Sequence, residues 1–271
     1  MDPLVGKVFE RRYRITALIG DGHSSTVYEA EDLAASRKVA LRLLHVQAEC
    51  KRHVALRHEN IITTYAAGQS HDGLMYMASE LVRAPRLHQI LRTSGAMPWP
   101  RSLEIAVQLC NALHAARAHG IVGPLTPEKI YVEPFDLVRV DFSPRMPFHA
   151  IDPDRSFQGQ AFGPFEYMSP ELQVGKPHDA RSEVYSIGVL LYETLTCELP
   201  FIDDPHPVRR VLAQSEKRAS PPSLVRPLPA ELDAVVLSCL VHQPQTRPAD
   251  VIAVRDALLA IRAAIRPAAE S

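Results

Sequence analysis

The chain has 271 residues, of which 46% are hydrophobic and 23% charged, and a formal net charge of −1. That is enough apolar material for a well-buried core in one large unit or two lobes. The near-zero charge balance provides no strongly basic face, and no apolar run reaches the roughly 18 residues needed to span a bilayer, so neither a nucleic-acid nor a membrane partner is expected.

In chain order, Tyr13-Arg-Ile-Thr-Ala-Leu-Ile19 reads as a strand, Gly20-Asp-Gly22 as a turn, and Thr26-Val-Tyr-Glu-Ala30 as the returning strand. Lys38 to Leu44 is a third strand, with Lys38, Ala40 and Arg42 on one face and Val39, Leu41 and Leu43 on the other. A helix is predicted over Gln47 to Arg57, then strands over Ile61 to Tyr65 and Leu74 to Glu80. From about residue 86 the period becomes helical. Ser102 to His119 carries a stripe of Leu103, Ala106, Val107, Cys110, Leu113 and Ala116 and stops at Gly120. Ser182 to Thr196 is apolar on nearly every side, as a central buried helix is. Amphipathic helices over Pro229 to His242 and Asp250 to Ile265 close the chain. Strands followed by helices define an α+β, two-lobed class.

Cys50, Cys110, Cys197 and Cys239 are widely spaced and form no metal-ligand pattern, so buried free thiols in a reducing, cytoplasmic setting are expected. Met1-Asp-Pro-Leu-Val lacks the charged start and apolar core of a signal peptide.

Three segments carry a family resemblance. Gly163-Pro-Phe-Glu-Tyr-Met-Ser-Pro-Glu171, then Asp179-Ala-Arg-Ser-Glu-Val-Tyr-Ser-Ile-Gly188, then Leu199-Pro-Phe201 resemble the activation-segment end and following helix of bacterial serine/threonine protein kinases. Ser169-Pro-Glu171 is similar to the Ala-Pro-Glu element, and Arg247 stands at the distant Arg that pairs with its Glu. The resemblance implies a bilobal protein-kinase-like fold. It also implies a single domain over residues 1–271, with a mainly β lobe at about 10–82 and a mainly α lobe at about 83–266.

The resemblance further implies a set of nucleotide-contacting positions. Gly20, Gly22 and Ser25 stand for the glycine-rich loop, Val27 and Ala40 for the covers of the base, and Glu80 to Val82 for the hinge beside Ser79. Tyr131 stands at the floor of the base pocket, where it either stacks on a base or fills its space. Arg42 replaces the Lys that contacts phosphates, a change of shape as well as bulk. Glu49 matches its helical partner, with only six residues between it and Arg42. Asp141-Phe-Ser143 resembles Asp-Phe-Gly, which makes Asp141 the metal-ligand position for Mg²⁺.

At the catalytic loop the resemblance breaks. Where the family carries His-Arg-Asp and then Lys-Pro-x-Asn, this chain reads Gly120-Ile-Val-Gly-Pro-Leu-Thr-Pro-Glu-Lys-Ile130, one residue short. The proton-accepting Asp falls on Pro124, the phosphate-steadying Lys on Thr126, the second metal ligand on Lys129, and the activation-segment Thr on Pro164. Glu128 and Glu133 lie nearby and read first as solvated carboxylates.

Two functions follow from the resemblance. In one, the chain is a pseudokinase that binds protein partners, an active kinase or signalling protein among them, with or without residual ATP. Its docking candidates are the helix at Gln47 to Arg57, His206 to Arg210 and the proline-rich stretch at 220–229. In the other it is a divergent ATP-dependent kinase, or a kinase-fold nucleotide transferase, using Asp141 and Arg42.

Overall fold

The computed structural model describes residues 2–22, 24–45, 50–144, 164–201 and 218–265. They fall into two compact units. The first holds the chain up to Arg83, together with Ala118–Ile121 and Asp141–Ala161; the second holds Ala84–Arg117, Val122–Val140 and the chain from Phe162 on.

The first unit is built on a six-stranded sheet of β1 (Val8–Phe9), β2 (Tyr13–Asp21), β3 (Ser25–Asp32), β4 (Arg37–Leu44), β5 (Thr64–Gln69) and β6 (Met75–Glu80), in the order β1-β2-β3-β4-β6-β5. Adjacent strands are antiparallel. The alternation expected in β4 is realised: Val39, Leu41 and Leu43 pack with Tyr13, Ile15, Tyr28, Ala30 and Ala78 in one apolar cluster. Lys38 is exposed, and Ala40 and Arg42 are partly so.

Several boundaries differ from expectation. β2 continues through Gly20 to Asp21, because Asp21 pairs with Thr26, and the reversal comes after it, where the Gly22 N–H donates to the Ser25 carbonyl (3.1 Å). β5 begins at Thr64 rather than Ile61. The described part of the predicted Gln47–Arg57 helix is α1, Lys51–Ala55; residues 46–49 lie outside the described residues.

The second unit contains α2 (Leu87–Ser94), most of α3 (Trp99–Ala118), β7 (Ile130–Val132), β8 (Val138–Val140), α4 (Pro170–Gln173), α5 (Ala180–Thr196), α6 (Ala230–Cys239) and α7 (Val251–Ile265). Each stripe residue predicted for α3 is buried. α5 is buried almost throughout, and its start is fixed by Asp179, whose carboxylate accepts the Ser182 N–H (2.9 Å). Close packing of α5 on α6 requires Gly188, since a Cβ there would lie 2.6 Å from Cβ of Cys239. Cys50, Cys110 and Cys239 are buried free thiols as expected. Cys197 is exposed instead, because it caps α5 in a left-handed conformation (φ 62°) outside the apolar stripe.

Candidate functional site

In the first unit, strand register gathers the positions expected at a nucleotide site. Gly20 pairs with Val27, Val27 with Arg42, and Arg42 with Met77, a single row across four strands. Two residues along β4, Ala40 pairs with Ser79, whose hydroxyl donates to the Ala40 carbonyl (3.4 Å). Glu80 carries two links to Thr63, accepting its N–H on Oε2 (3.4 Å) and donating its own N–H to the Thr63 carbonyl (2.9 Å). Val82 follows, half-buried, in irregular backbone.

Arg42 is the centre of this unit's polar geometry. Its Nη2 donates to Oδ2 of Asp141 at 2.6 Å, and its Nη1 donates to the Ser25 hydroxyl at 3.0 Å. The remaining Asp141 oxygen, Oδ1, accepts the Ser143 N–H (2.9 Å). The side chains of Arg42 and Asp141 are only 18% and 15% exposed, so the pair is poorly screened. Of the two expected partners of Arg42, Asp141 is the one seen; Glu49 lies outside the described residues.

The backbone carrying Asp141 is held from a second direction. Nε2 of the buried His53, on α1, donates to the Phe142 carbonyl (3.0 Å). Arg42, His53, Met77, Ser79, Asp141 and Phe142 share the lining of one small pocket within this unit. Neither Ser25 as a partner of Arg42 nor His53 was legible in the sequence. Both act through side-chain contacts with residues distant in the chain, which leave no periodic signal.

A divalent ion does not fit this donor set well. Mg²⁺ needs several oxygen ligands in near-octahedral array, whereas Asp141 has one oxygen on a guanidinium and the other on a backbone N–H.

The catalytic-loop positions lie in the second unit and form a local structure of their own. Gly123, at the place of the family's Arg, has φ +151°, a conformation side-chain-bearing residues rarely adopt. Pro124 is buried, and its carbonyl accepts from Nζ of Lys129 (3.3 Å). Thr126 is 3% exposed, with no hydrogen-bond partner for its hydroxyl among the described residues. A 3₁₀ turn over Pro127–Lys129 leads into β7. Glu128 is exposed and Glu133 half-buried. The Tyr131 hydroxyl accepts from Nε and Nη2 of Arg86 at 3.2 and 3.0 Å, a contact that ties the side chain to the start of α2. Pro164 opens a 3₁₀ turn over Pro164–Tyr167.

Also within this unit, Nη1 and Nη2 of Arg247 donate to the two Glu171 oxygens at 2.7 and 3.0 Å. Burial alone would raise the Glu171 carboxyl, but these bonds hold it below the ordinary carboxylate value.

This β-rich unit and helical unit, with a Glu–Arg pair at the end of the activation segment, define a protein-kinase fold. Residues 13–258 match the protein kinase domain family, and the chain belongs to that family, in its bacterial serine/threonine branch. It is 33% identical to serine/threonine-protein kinase pkn3 of Myxococcus xanthus, over 96% of this chain and 52% of that protein. It is also 33% identical to serine/threonine-protein kinase PknB of Mycobacterium leprae, over 87% of this chain and 40% of that protein. Serine/threonine-protein kinase PksC of Streptomyces coelicolor is 29% identical, over 96% and 50%. The chain thus spans about half or less of each relative's own length. Protein kinase domains in general use ATP and Mg²⁺. Among the described residues, no helix is long and apolar enough to cross a membrane.

Proposed function

We propose that this chain is a kinase-fold protein that acts by binding another protein and does not transfer phosphate to Ser or Thr. The observation that carries this reading is the loop Gly123 to Lys129. Its buried proline, neutral threonine and carbonyl-bound lysine occupy the places of a proton acceptor, a phosphate-steadying cation and a metal ligand. Phosphoryl transfer depends almost wholly on positioning and charge, so the loss of these groups together removes its basis. The proposed partner class is an active kinase or other signalling protein. The free thiols are consistent with a reducing, cytoplasmic setting.

The second reading is a divergent ATP-dependent kinase, or another kinase-fold nucleotide transferase. It is favoured by the retained Asp141 and by the similarity to relatives that are serine/threonine-protein kinases.

Adding the purified chain to an active bacterial serine/threonine kinase domain separates the two readings. A change in that kinase's activity that persists with the Asp141→Ala chain supports action by binding. A change lost with Asp141→Ala supports the enzyme.

A further inference from the structure

We infer that the guanidinium of Arg42 is the resident cation of the Asp141 carboxylate and holds the place that a divalent metal takes in active kinases. The inference goes beyond the proposed function and rests on the family position of Asp141, and its test does not depend on phosphotransfer.

Three features of the first unit support it. Nη2 of Arg42 lies 2.6 Å from Oδ2 of Asp141, the short distance of a charge-assisted bond, and a metal would need that oxygen. The largely buried Ser25 accepts from Nη1 at 3.0 Å, so the fork is held at two points. A lysine ammonium is a compact point charge, whereas the planar guanidinium spans both acceptors. Lastly, Ser143 N–H occupies Oδ1 and His53 holds the Phe142 carbonyl, fixing the carboxylate toward Arg42. The site therefore has a protein-borne +1 charge on Asp141 in place of a divalent ion.

The test is Mn²⁺ binding, read as loss of the free Mn²⁺ signal in electron paramagnetic resonance. It compares the wild-type chain with Asp141→Asn, Arg42→Lys, Arg42→Met and the Arg42→Met/Asp141→Asn double variant. Circular dichroism confirms that each is folded. The expected result is no difference between wild type and Asp141→Asn, since the carboxylate is not available to the metal. Arg42→Met and Arg42→Lys should bind at least about tenfold more tightly than wild type, because each releases the carboxylate from the fork. The gain should vanish in the double variant. If Arg42→Met fails to fold, Arg42→Lys, which keeps the charge and carries the family's own residue, decides. Wild-type binding that is lost in Asp141→Asn would overturn the inference, as would folded Arg42 variants that bind no better than wild type. Neither result would restore the groups missing at Pro124 and Thr126, so the proposed function would fail only on its own test.

Discussion

Arg247 directs two of its five N–H donors at the two oxygens of Glu171, and the other three at the carbonyls of Val241, Arg181 and His242. Ser182 adds a hydroxyl donor to Oε1 of Glu171 (3.0 Å), and the guanidinium lies 4.9 Å from the centroid of the Tyr185 ring. Every donor of a buried cation is thus satisfied, which is the condition under which a buried ion pair is tolerated. The pair ties the end of the activation segment to the start of α5 and to the loop after α6.

Removing one partner would leave the other charged, buried and unpaired. Arg247→Ala should therefore destabilise the protein by about 3–5 kcal/mol, measured by denaturant unfolding. A folded Arg247→Ala chain with an unchanged midpoint would contradict the role assigned to the pair.

Gly188 makes a packing prediction in the same unit. An alanine Cβ would meet Cβ of Cys239 at 2.6 Å and Cδ2 of Leu240 at 3.2 Å, so α5 and α6 must separate. The overpacking cost of about 1–3 kcal/mol outweighs the smaller helix-propensity gain from replacing glycine. Thermal unfolding of Gly188→Ala should show a lower midpoint than wild type.

Much of this was legible in the sequence, for identifiable reasons. The period of two in β4 places Arg42 opposite the core-facing Leu41, and the Glu171–Arg247 pair follows from a motif read at two distant points. The six residues between Arg42 and Glu49 pointed to a helix that starts late, with Glu49 in its first turn. Glu49 lies outside the described residues, among which the helix is seen as α1, Lys51–Ala55. Other contacts had no such signal. Ser25 looked like a mild replacement of a loop glycine, yet its hydroxyl accepts from Arg42. The resemblance set Tyr131 at the floor of the base pocket, but nothing in the sequence announced that Arg86, 45 residues earlier, binds its hydroxyl. Arg117 meets Glu183 at 2.9 Å across 66 residues, with neither in a recognised pairing. Periodicity reports which face a residue occupies but not which polar group the fold brings to it.

Glu193 should make stability depend on pH. Burial pushes its carboxyl up to about 7, helped by Glu128 and Glu166 and opposed by the hydrogen bond from Tyr167 (2.8 Å). The folded state then binds a proton that the unfolded chain, with a carboxyl near 4.3, has already lost. This contribution to stability is complete below about pH 4.3 and is lost as pH rises through about 7. Glu193→Gln removes the titration while keeping an acceptor for Tyr167. Its melting temperature should fall less than that of wild type between pH 4.5 and 7.5, by an amount corresponding to about 2–3 kcal/mol. Parallel curves for the two proteins would rule out Glu193 as the source.

The most direct test of the account is incorporation of labelled phosphate from ATP into protein Ser or Thr. It compares the wild-type chain, an Asp141→Ala control and an active relative's kinase domain under the same conditions. Loss of a single arginine-type contribution costs about 10³–10⁵ in rate in phosphoryl-transfer enzymes, and here the acceptor at Pro124, the cation at Thr126 and the tether at Pro164 are absent together. Incorporation by the relative, and none above background by wild type or control, is the expected result. Clear incorporation by the wild-type chain that disappears in Asp141→Ala would contradict it.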